Sequence, residues 1–148
     1  MKAVVLVVDD EPDIVQSMKD VLRLHYEVYG ASSFKEAMKV IDEHKIDTVI
    51  LDLNLPDTHG VDTIGTLQAA HPDVAILAFT GYPWMTEELG HGDVPTVVKG
   101  TSIQKIFTAL IDVRMRKIQE KATAPLKEAF KEVREEVERL KKDERSAS

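Results

Sequence analysis

Residues 47–60 read DTVILDLNLPDTHG, and this stretch does most to decide the fold. Its first five residues, 47–51, form a short run rich in β-branched side chains, which is typical of a strand buried on both faces of a sheet. Asp52 follows the run directly, and Gly60 marks the loop beyond it. The stretch therefore predicts a buried strand that leads into a carboxylate.

Similar patterns recur along the chain on both sides of this strand. Short apolar runs predict four more strands, at residues 3–8, 26–31, 74–79 and 94–98. Apolar positions at helical spacing predict helices that begin near residues 12, 33, 61, 83 and 101. Strands that alternate five times with amphipathic helices predict an α/β fold, with a five-stranded parallel sheet, doubly wound and covered on both faces.

Two of these helices carry start signals in the sequence. Ser33 with Glu36, and Thr101 with Gln104, have the spacing of capping boxes, in which each side chain bonds a backbone N–H of the other residue. We therefore expect the second and fifth helices to begin at these pairs.

The residues at the ends of the strands have side chains that can bind ligands or take part in a reaction. Asp9 and Asp10 follow the first strand, Asp52 the third, Thr80 the fourth and Lys99 the fifth. Ligands of open parallel sheets bind beyond the carboxyl ends of the strands. Each of these residues is also common alone as a turn former, a helix cap or a solvated charge. Four strands that deliver carboxylates, a hydroxyl and an ammonium to one edge favour a site for Mg²⁺ and a phosphoryl group.

The motifs at these strand ends resemble those of the receiver domains of two-component signalling. They are VVDDE at 7–11, ILDLNLPDTHG at 50–60, AFTG at 78–81 and VVK at 97–99, and the resemblance covers about residues 3–115. It implies a flavodoxin-like, CheY-like fold. It also implies a phosphorylation-dependent signalling switch rather than an enzyme, either a stand-alone response regulator or a receiver module of a larger regulator or hybrid kinase.

The resemblance also assigns roles to single residues. It makes Asp52 the phosphoacceptor, with Thr80 hydrogen-bonded to the phosphoryl group and Lys99 paired with it. The implied donor is a phosphohistidine on a histidine kinase or a histidine phosphotransfer protein.

The same resemblance implies a site for Mg²⁺ or Mn²⁺ beside the phosphoacceptor. Asp10 and Asp52 would bind the metal directly, together with the backbone carbonyl of Asn54. Asp9 would act largely through water.

Three departures from the family pattern follow Thr80. Lys99 is followed by Gly100 where the family usually has proline after a cis bond, so we expect a trans bond here because a cis bond without proline costs about 2.5–4 kcal/mol. Thr96 occupies the position of a switching Tyr or Phe. The segment between Thr80 and Lys99 is short and has two glycines around His91, which predicts a short or irregular fourth helix. These changes are either sequence drift or a rebuilt output face.

The chain continues for about thirty residues beyond a receiver, so we divide it into a receiver domain, 1–115, and a helical tail, 116–148. Pro125 predicts a helix break near residues 123–125. Apolar residues then follow at spacings of four and three, namely Leu126, Phe130, Val133, Val137 and Leu140. This pattern is typical of a coiled coil that joins two chains into a homodimer, or of a helix folded back on its own receiver. The tail could also be a linker between the receiver and a further module.

Composition and charge argue against several other classes of function. The chain has 148 residues, 43% hydrophobic and 30% charged, as a globular domain does, and it has no cysteine for a disulfide, a zinc thiolate or a nucleophile. Residues 1–113 carry 8 Lys and Arg against 18 Asp and Glu, so they should repel nucleic acid. No segment has the length of a signal peptide or of a membrane span of about 20 apolar residues. We therefore expect a cytoplasmic protein without a membrane partner.

Two other functions deserve comparison. Haloacid-dehalogenase-like phosphatases also use an aspartate nucleophile and Mg²⁺. They require an acidic residue two positions after the nucleophile, where this chain has Asn54. A pseudo-receiver would bind a partner without phosphorylation. The complete acidic set argues against it, although the altered segment around Lys99 leaves it open.

Overall fold

The structure is a computed structural model that describes residues 2–58, 61–122 and 124–147. Five strands and six helices alternate along the chain. In order they are β1 (Ala3–Val8), α1 (Pro12–Leu22), β2 (Tyr26–Ala31), α2 (Phe34–Glu43), β3 (Thr48–Asp52), α3 (Thr63–Ala70), β4 (Ala75–Thr80), α4 (Met85–Glu88), β5 (Thr96–Val98), α5 (Ile103–Lys121) and α6 (Ala124–Ala147).

The strands form one parallel sheet in the order β2-β1-β3-β4-β5. The order reverses direction at β1, which lies between β2 and β3, and this is the switch point where ligands of such sheets bind. The register brings the ends of the central strands level, since Val8 is opposite Leu51 and Asp52 is opposite Phe79. The expected five-stranded, doubly wound sheet is confirmed.

Two hydrophobic cores lie on opposite faces of the sheet because successive side chains of a strand point in opposite directions. In β1, Val5 and Val7 join Leu22 and Leu110 in one core, so α1 and α5 cover that face. Leu6 and Val8 belong to the other core, together with residues of α2 and α3. Burial on both faces explains why these strands read as continuous apolar runs.

The two expected capping boxes differ in detail from the structure. The Ser33 hydroxyl accepts the N–H of Glu36 at 3.1 Å, as expected, but the Glu36 carboxylate accepts the N–H of Ser32 rather than that of Ser33. The second box is wrong by one residue. Helix α5 begins at Ile103, and the Ser102 hydroxyl, not that of Thr101, accepts the N–H three residues on. A hydroxyl at either position could have capped the helix, so the sequence pattern alone was ambiguous.

The chain divides into two compact units, Met1–Arg114 and Met115–Ser148. The second unit contains the end of α5 and the whole of α6. Helix α5 ends at Lys121 and α6 begins at Ala124, so the predicted break near Pro125 is confirmed, although Thr123 lies outside the described residues. Pro125 stands in the first turn of α6, where its missing N–H costs nothing. None of the helices in the described ranges combines the length and apolar character that a bilayer crossing requires.

Candidate functional site

The residues expected to form a site lie at the carboxyl edge of the sheet. Asp52 and Thr80 are the last residues of β3 and β4, Asp9 follows β1 directly, and Lys99 follows β5. The backbone N–H of Lys99 donates to the carbonyl of Thr80 at 2.9 Å, which extends the pairing of β4 and β5 into the site. The parallel sheet thus gathers residues that are far apart in the sequence.

Three carboxylates form the acidic part of the site. Asp9, Asp10 and Asp52 each place a carboxylate oxygen within 4.8 Å of the others. Asp9 is fully buried and Asp52 is 2% exposed, whereas Asp10 is exposed. Buried carboxylates in contact repel each other and lose hydration, so this arrangement needs positive charge close by.

Lys99 supplies positive charge within the chain. Its ammonium lies 2.9 Å from Asp9 Oδ2 and 3.2 Å from Asp52 Oδ2, and it is 4.0 Å from Glu11 Oε1. Partial burial lowers the pKa of Lys99, but contacts with the carboxylates of Asp9 and Asp52 outweigh burial and raise it overall. Lys99 is therefore held in its charged form between the two buried acids.

The electrostatics of Asp52 differ from those of an ordinary surface aspartate. Burial raises the pKa of its carboxyl group, and the charge of Asp9 adds to this. The N–H of Asn54, which donates to Asp52 Oδ1 at 3.0 Å, and the ammonium of Lys99 oppose the rise without cancelling it. The single positive charge of Lys99 therefore does not fully neutralise the two buried carboxylates of Asp9 and Asp52.

The donor set fits a hard divalent cation. Every ligand atom on offer is an oxygen, which Mg²⁺ and similar ions prefer. Asp9 Oδ1 accepts the N–H of Glu11 at 2.9 Å, and the buried Oδ2 has the Lys99 ammonium as its partner, also at 2.9 Å.

Thr80 is buried beside the acids, but its hydroxyl group makes its contacts with Tyr82 and Met85. Its hydroxyl oxygen accepts the N–H of Tyr82 at 3.0 Å, and its O–H points to Met85 Sδ at 3.8 Å. The backbone N–H of Asn54 donates to Asp52 Oδ1 at 3.0 Å. The site therefore brings Asp9, Asp52 and Lys99 into direct contact, with Thr80 held at its border.

Sequence reasoning gave no role to Glu11 or Met85. Glu11 adds a third acid near Lys99, and its place directly after Asp10 could have indicated this. Met85 contacts Thr80 from the start of α4, which no local pattern in the sequence signals.

The structure shows the local geometry at each of the three departures from the family pattern. All described peptide bonds are trans, as expected for the bond before Gly100, and Gly100 has φ of 91°. Proline cannot adopt this angle because its ring fixes φ near −65°, so glycine suits this backbone. The Thr96 hydroxyl lies 3.4 Å from that of Thr86 and 3.1 Å from the carbonyl of Val94. Helix α4 has a single turn, Met85–Glu88, which confirms the expected short helix.

Two of the histidines lie beside acidic side chains. His71 Nε2 lies 3.1 Å from Asp42, and His91 Nε2 lies 2.9 Å from Asp62, the residue that caps α3. His59 lies outside the described residues, as does Gly60.

Comparison with known proteins identifies the class to which this fold and site belong. The family model described as the response regulator receiver domain matches residues 5–111, which is most of the chain. The chain therefore belongs to the response regulator receiver domain family. Its class is the phosphoacceptor signalling module of two-component systems, whose members in response regulators are phosphorylated by histidine kinases.

Individual relatives agree with this class. The transcriptional regulatory protein KdpE of Mycobacterium tuberculosis is 45% identical over 65 residues, or 43% of this chain and 29% of KdpE. A probable cyclic di-GMP phosphodiesterase of Vibrio cholerae is 31% identical over 124 residues, or 77% of this chain and 28% of that protein. The chain thus spans less than a third of the length of these curated relatives.

One solved structure is similar over nearly its whole length. It is the response regulator protein TrrA from Thermotoga maritima in complex with Mg²⁺ and BeF, which is 30% identical, with a TM-score of 0.69. The match covers 76% of this chain and 99% of TrrA. The receiver fold of the present chain is therefore supported by sequence, by topology and by a solved relative.

Proposed function

We propose that Asp52 is the phosphoacceptor of this receiver and that Asp9, Asp10 and Asn54 hold Mg²⁺, or Mn²⁺, beside it. The observation that carries the proposal is the convergence of three carboxylates within 4.8 Å at the end of the sheet, with Lys99 3.2 Å from Asp52. A carboxylate can act as a nucleophile toward phosphorus and form an aspartyl phosphate.

The proposed reaction transfers a phosphoryl group from a phosphohistidine. One Asp52 oxygen forms a bond to phosphorus while the bond from phosphorus to the imidazole nitrogen of the donor breaks. The imidazole leaves with the electron pair of that bond. Lys99 then moves its ammonium from the Asp52 oxygen to a phosphoryl oxygen, and the Thr80 hydroxyl donates to another, exchanging its contact with Met85.

A bound metal ion would neutralise the negative charge of the carboxylates that Lys99 leaves unbalanced. Asp10, which is exposed, and Asp52 would be direct ligands with the backbone carbonyl of Asn54, and Asp9 would act mainly through water. When bound, Mg²⁺ supplies charge that neutralises the phosphoryl oxygens during transfer. The relative TrrA, whose structure contains Mg²⁺ and BeF, supports this assignment.

The partner follows from the same chemistry. A histidine kinase or a histidine phosphotransfer protein is the proposed donor, and a cytoplasmic location is proposed with it. The net negative charge of residues 1–113 supports a protein donor over a nucleic-acid partner, because DNA would be repelled.

Intact-mass measurement tests the phosphoacceptor. With a small phosphodonor and Mg²⁺, the wild-type chain should gain one phosphoryl group and Asp52→Asn should gain none. Chelation of Mg²⁺ should prevent labelling of the wild type. Asp93→Asn, which changes an exposed loop aspartate, is the matched control and should label normally. Equal labelling of wild type and Asp52→Asn would refute the assignment.

The same preparation separates a signalling module from a phosphatase. A receiver should release p-nitrophenol no faster than Asp52 loses its phosphoryl group, which is a slow step. Sustained turnover of that ester that depends on Asp52 would favour the haloacid-dehalogenase-like alternative instead.

A further inference from the structure

Helix α6 carries an apolar stripe along its first two thirds, from residue 126 to residue 140. The stripe consists of Leu126, Phe130, Val133, Val137 and Leu140, and successive members are four, three, four and three residues apart. At this spacing the side chains lie along one side of a helix with a slight left-handed drift, which a supercoiled pair of helices keeps in contact.

Most of this stripe is exposed. The exposed fractions are 48% for Leu126, 58% for Val133, 43% for Val137 and 61% for Leu140, whereas Phe130 is partly buried. Most of the stability of a helix in a protein comes from packing of its apolar face rather than from its intrinsic propensity. The stripe therefore needs a partner surface of matching length and spacing.

Contacts with the end of α5 leave the stripe available. Arg134 donates a hydrogen bond to Gln119, and Lys127 and Phe130 line the same shallow groove against α5. These residues lie on one flank of the stripe, so the contact half-covers Phe130 and leaves the other four apolar residues exposed.

The residue types in the stripe favour two strands. In heptad terms, Leu126, Val133 and Leu140 occupy d positions, and Phe130 and Val137 occupy a positions. A β-branched residue at a with leucine at d favours a parallel dimer over larger assemblies. Val137 at a, followed by Leu140 at d, has this arrangement.

The flanking charges favour a second copy of the same helix in parallel. The e positions are all basic, namely Lys127, Arg134 and Lys141, and the g positions are Ala129, Glu136 and Asp143. In a parallel pair, a g residue meets the e residue five positions further along the other chain, so Glu136 meets Lys141. An antiparallel pair would instead bring the two basic e flanks together.

From these observations we propose that the stripe of α6 is a self-association surface, which pairs with the same stripe of a second copy as a parallel, in-register, two-stranded coiled coil. The proposal is independent of phosphoryl transfer at Asp52.

Oxidative crosslinking tests both the pairing and its direction. The chain has no cysteine, so single cysteines report without background. Leu140→Cys alone should form a disulfide-linked dimer, and so should Leu126→Cys alone, because each residue meets its own copy. Glu135→Cys, on the opposite side of α6, is the control and should not crosslink. Crosslinking only when Leu126→Cys and Val137→Cys chains are mixed would show an antiparallel pair, in which a d residue meets an a residue, and would overturn the proposed direction.

Light scattering on the full chain tests the assembly itself. The wild type should have twice the chain mass of 16.6 kDa, and Val133→Asp with Val137→Asp should have the single-chain mass. Glu128→Asp with Glu135→Asp, which lowers helix propensity without touching the stripe, should remain dimeric. All variants should unfold cooperatively on heating, as the wild type does, which shows that the receiver is folded. A monomeric wild type would overturn the proposal and favour a helix folded back on its own receiver, and a trimer would overturn the two-stranded pairing.

Discussion

Asp9 and Asp10 are neighbours in the chain but occupy opposite environments. Asp9 is fully buried, accepts the N–H of Glu11 and pairs with Lys99, whereas Asp10 is exposed. A carboxylate already committed to a buried ion pair is a poorer direct ligand than one that reaches the solvent side of the site. The two acids should therefore contribute differently to metal binding.

We predict that Asp10→Ala weakens Mg²⁺ binding about tenfold relative to the wild type, which is about 1.4 kcal/mol. Asp9→Ala should weaken Mg²⁺ binding less. The reason is that Asp10 is the proposed direct ligand and Asp9 acts through water. Titration of Mg²⁺ followed by the fluorescence of Trp84 or by calorimetry measures the difference. Gln16→Ala, an exposed substitution on α1, is the control. The reverse ranking of the two aspartates would contradict the division of roles.

At the scale of elements, α2 is tied to the loop that carries Asn54. The Asp57 carboxylate accepts the N–H groups of Phe34 and Lys35, both at 2.9 Å, while Ser33 accepts the next N–H along the helix. These N–H groups have no partner within the helix, so Asp57 supplies the acceptors that its first turn lacks. The contact anchors the loop after β3 to a helix that is distant in sequence.

We predict that Asp57→Ala destabilises the protein by about 1 kcal/mol at neutral pH, as loss of a helix-capping acceptor does. Hydrogen bonds from the N–H groups of Lys35 and Phe34 lower the pKa of the Asp57 carboxyl group in the folded protein. Such a carboxylate stabilises the fold above its unfolded pKa, and the stabilisation is lost as the pH falls through the lower, folded pKa.

Urea denaturation of wild type and Asp57→Ala at several pH values measures this effect. The difference in the free energy of unfolding should be largest near neutral pH and should shrink in acid as Asp57 becomes protonated. Asp93→Ala, an exposed loop substitution, should show no such trend. A difference that stays constant with pH would mean that the charge of Asp57 is not the stabilising feature.

At the scale of the whole molecule, the first unit contains both cores and the site, and α5 continues beyond it. We therefore propose that the receiver domain ends near residue 115 and that residues beyond it are not needed for its stability. Leu110 and Val113, which are 2% and 5% exposed, are the last residues of the core in the first unit.

We predict that a chain truncated after Ala122 keeps the thermal stability and the phosphorylation of the receiver. Truncation after Ala109 should abolish cooperative unfolding, since loss of a buried Leu or Val side chain alone costs about 1–5 kcal/mol and both are removed. Differential scanning calorimetry and intact-mass labelling measure the two outcomes. A large loss of stability in the longer truncation would show that the receiver depends on the tail.

The tail and the region after Thr80 show how far local patterns reach. Pro125 predicted a helix break, apolar spacing predicted helical structure after it, and both are observed in the described residues. The short segment between Thr80 and Lys99, with its two glycines, predicted a short fourth helix. It did not predict that Met85 in that helix contacts Thr80 or that Thr96 approaches Thr86, because these contacts depend on how the α4 segment folds over the sheet edge.

The sequence by itself determined the five strands and the identity of the residues at their ends. Strands buried on both faces must be apolar throughout, so they are legible as local runs, and parallel strands must present their carboxyl ends at one edge. Tertiary structure alone decided the strand order, the pairing of Lys99 with both Asp9 and Asp52, and the capping of α2 by Asp57. These features join residues more than twenty positions apart. No local periodicity records such contacts, and they arise only when the packing of the elements brings the partners within hydrogen-bonding distance.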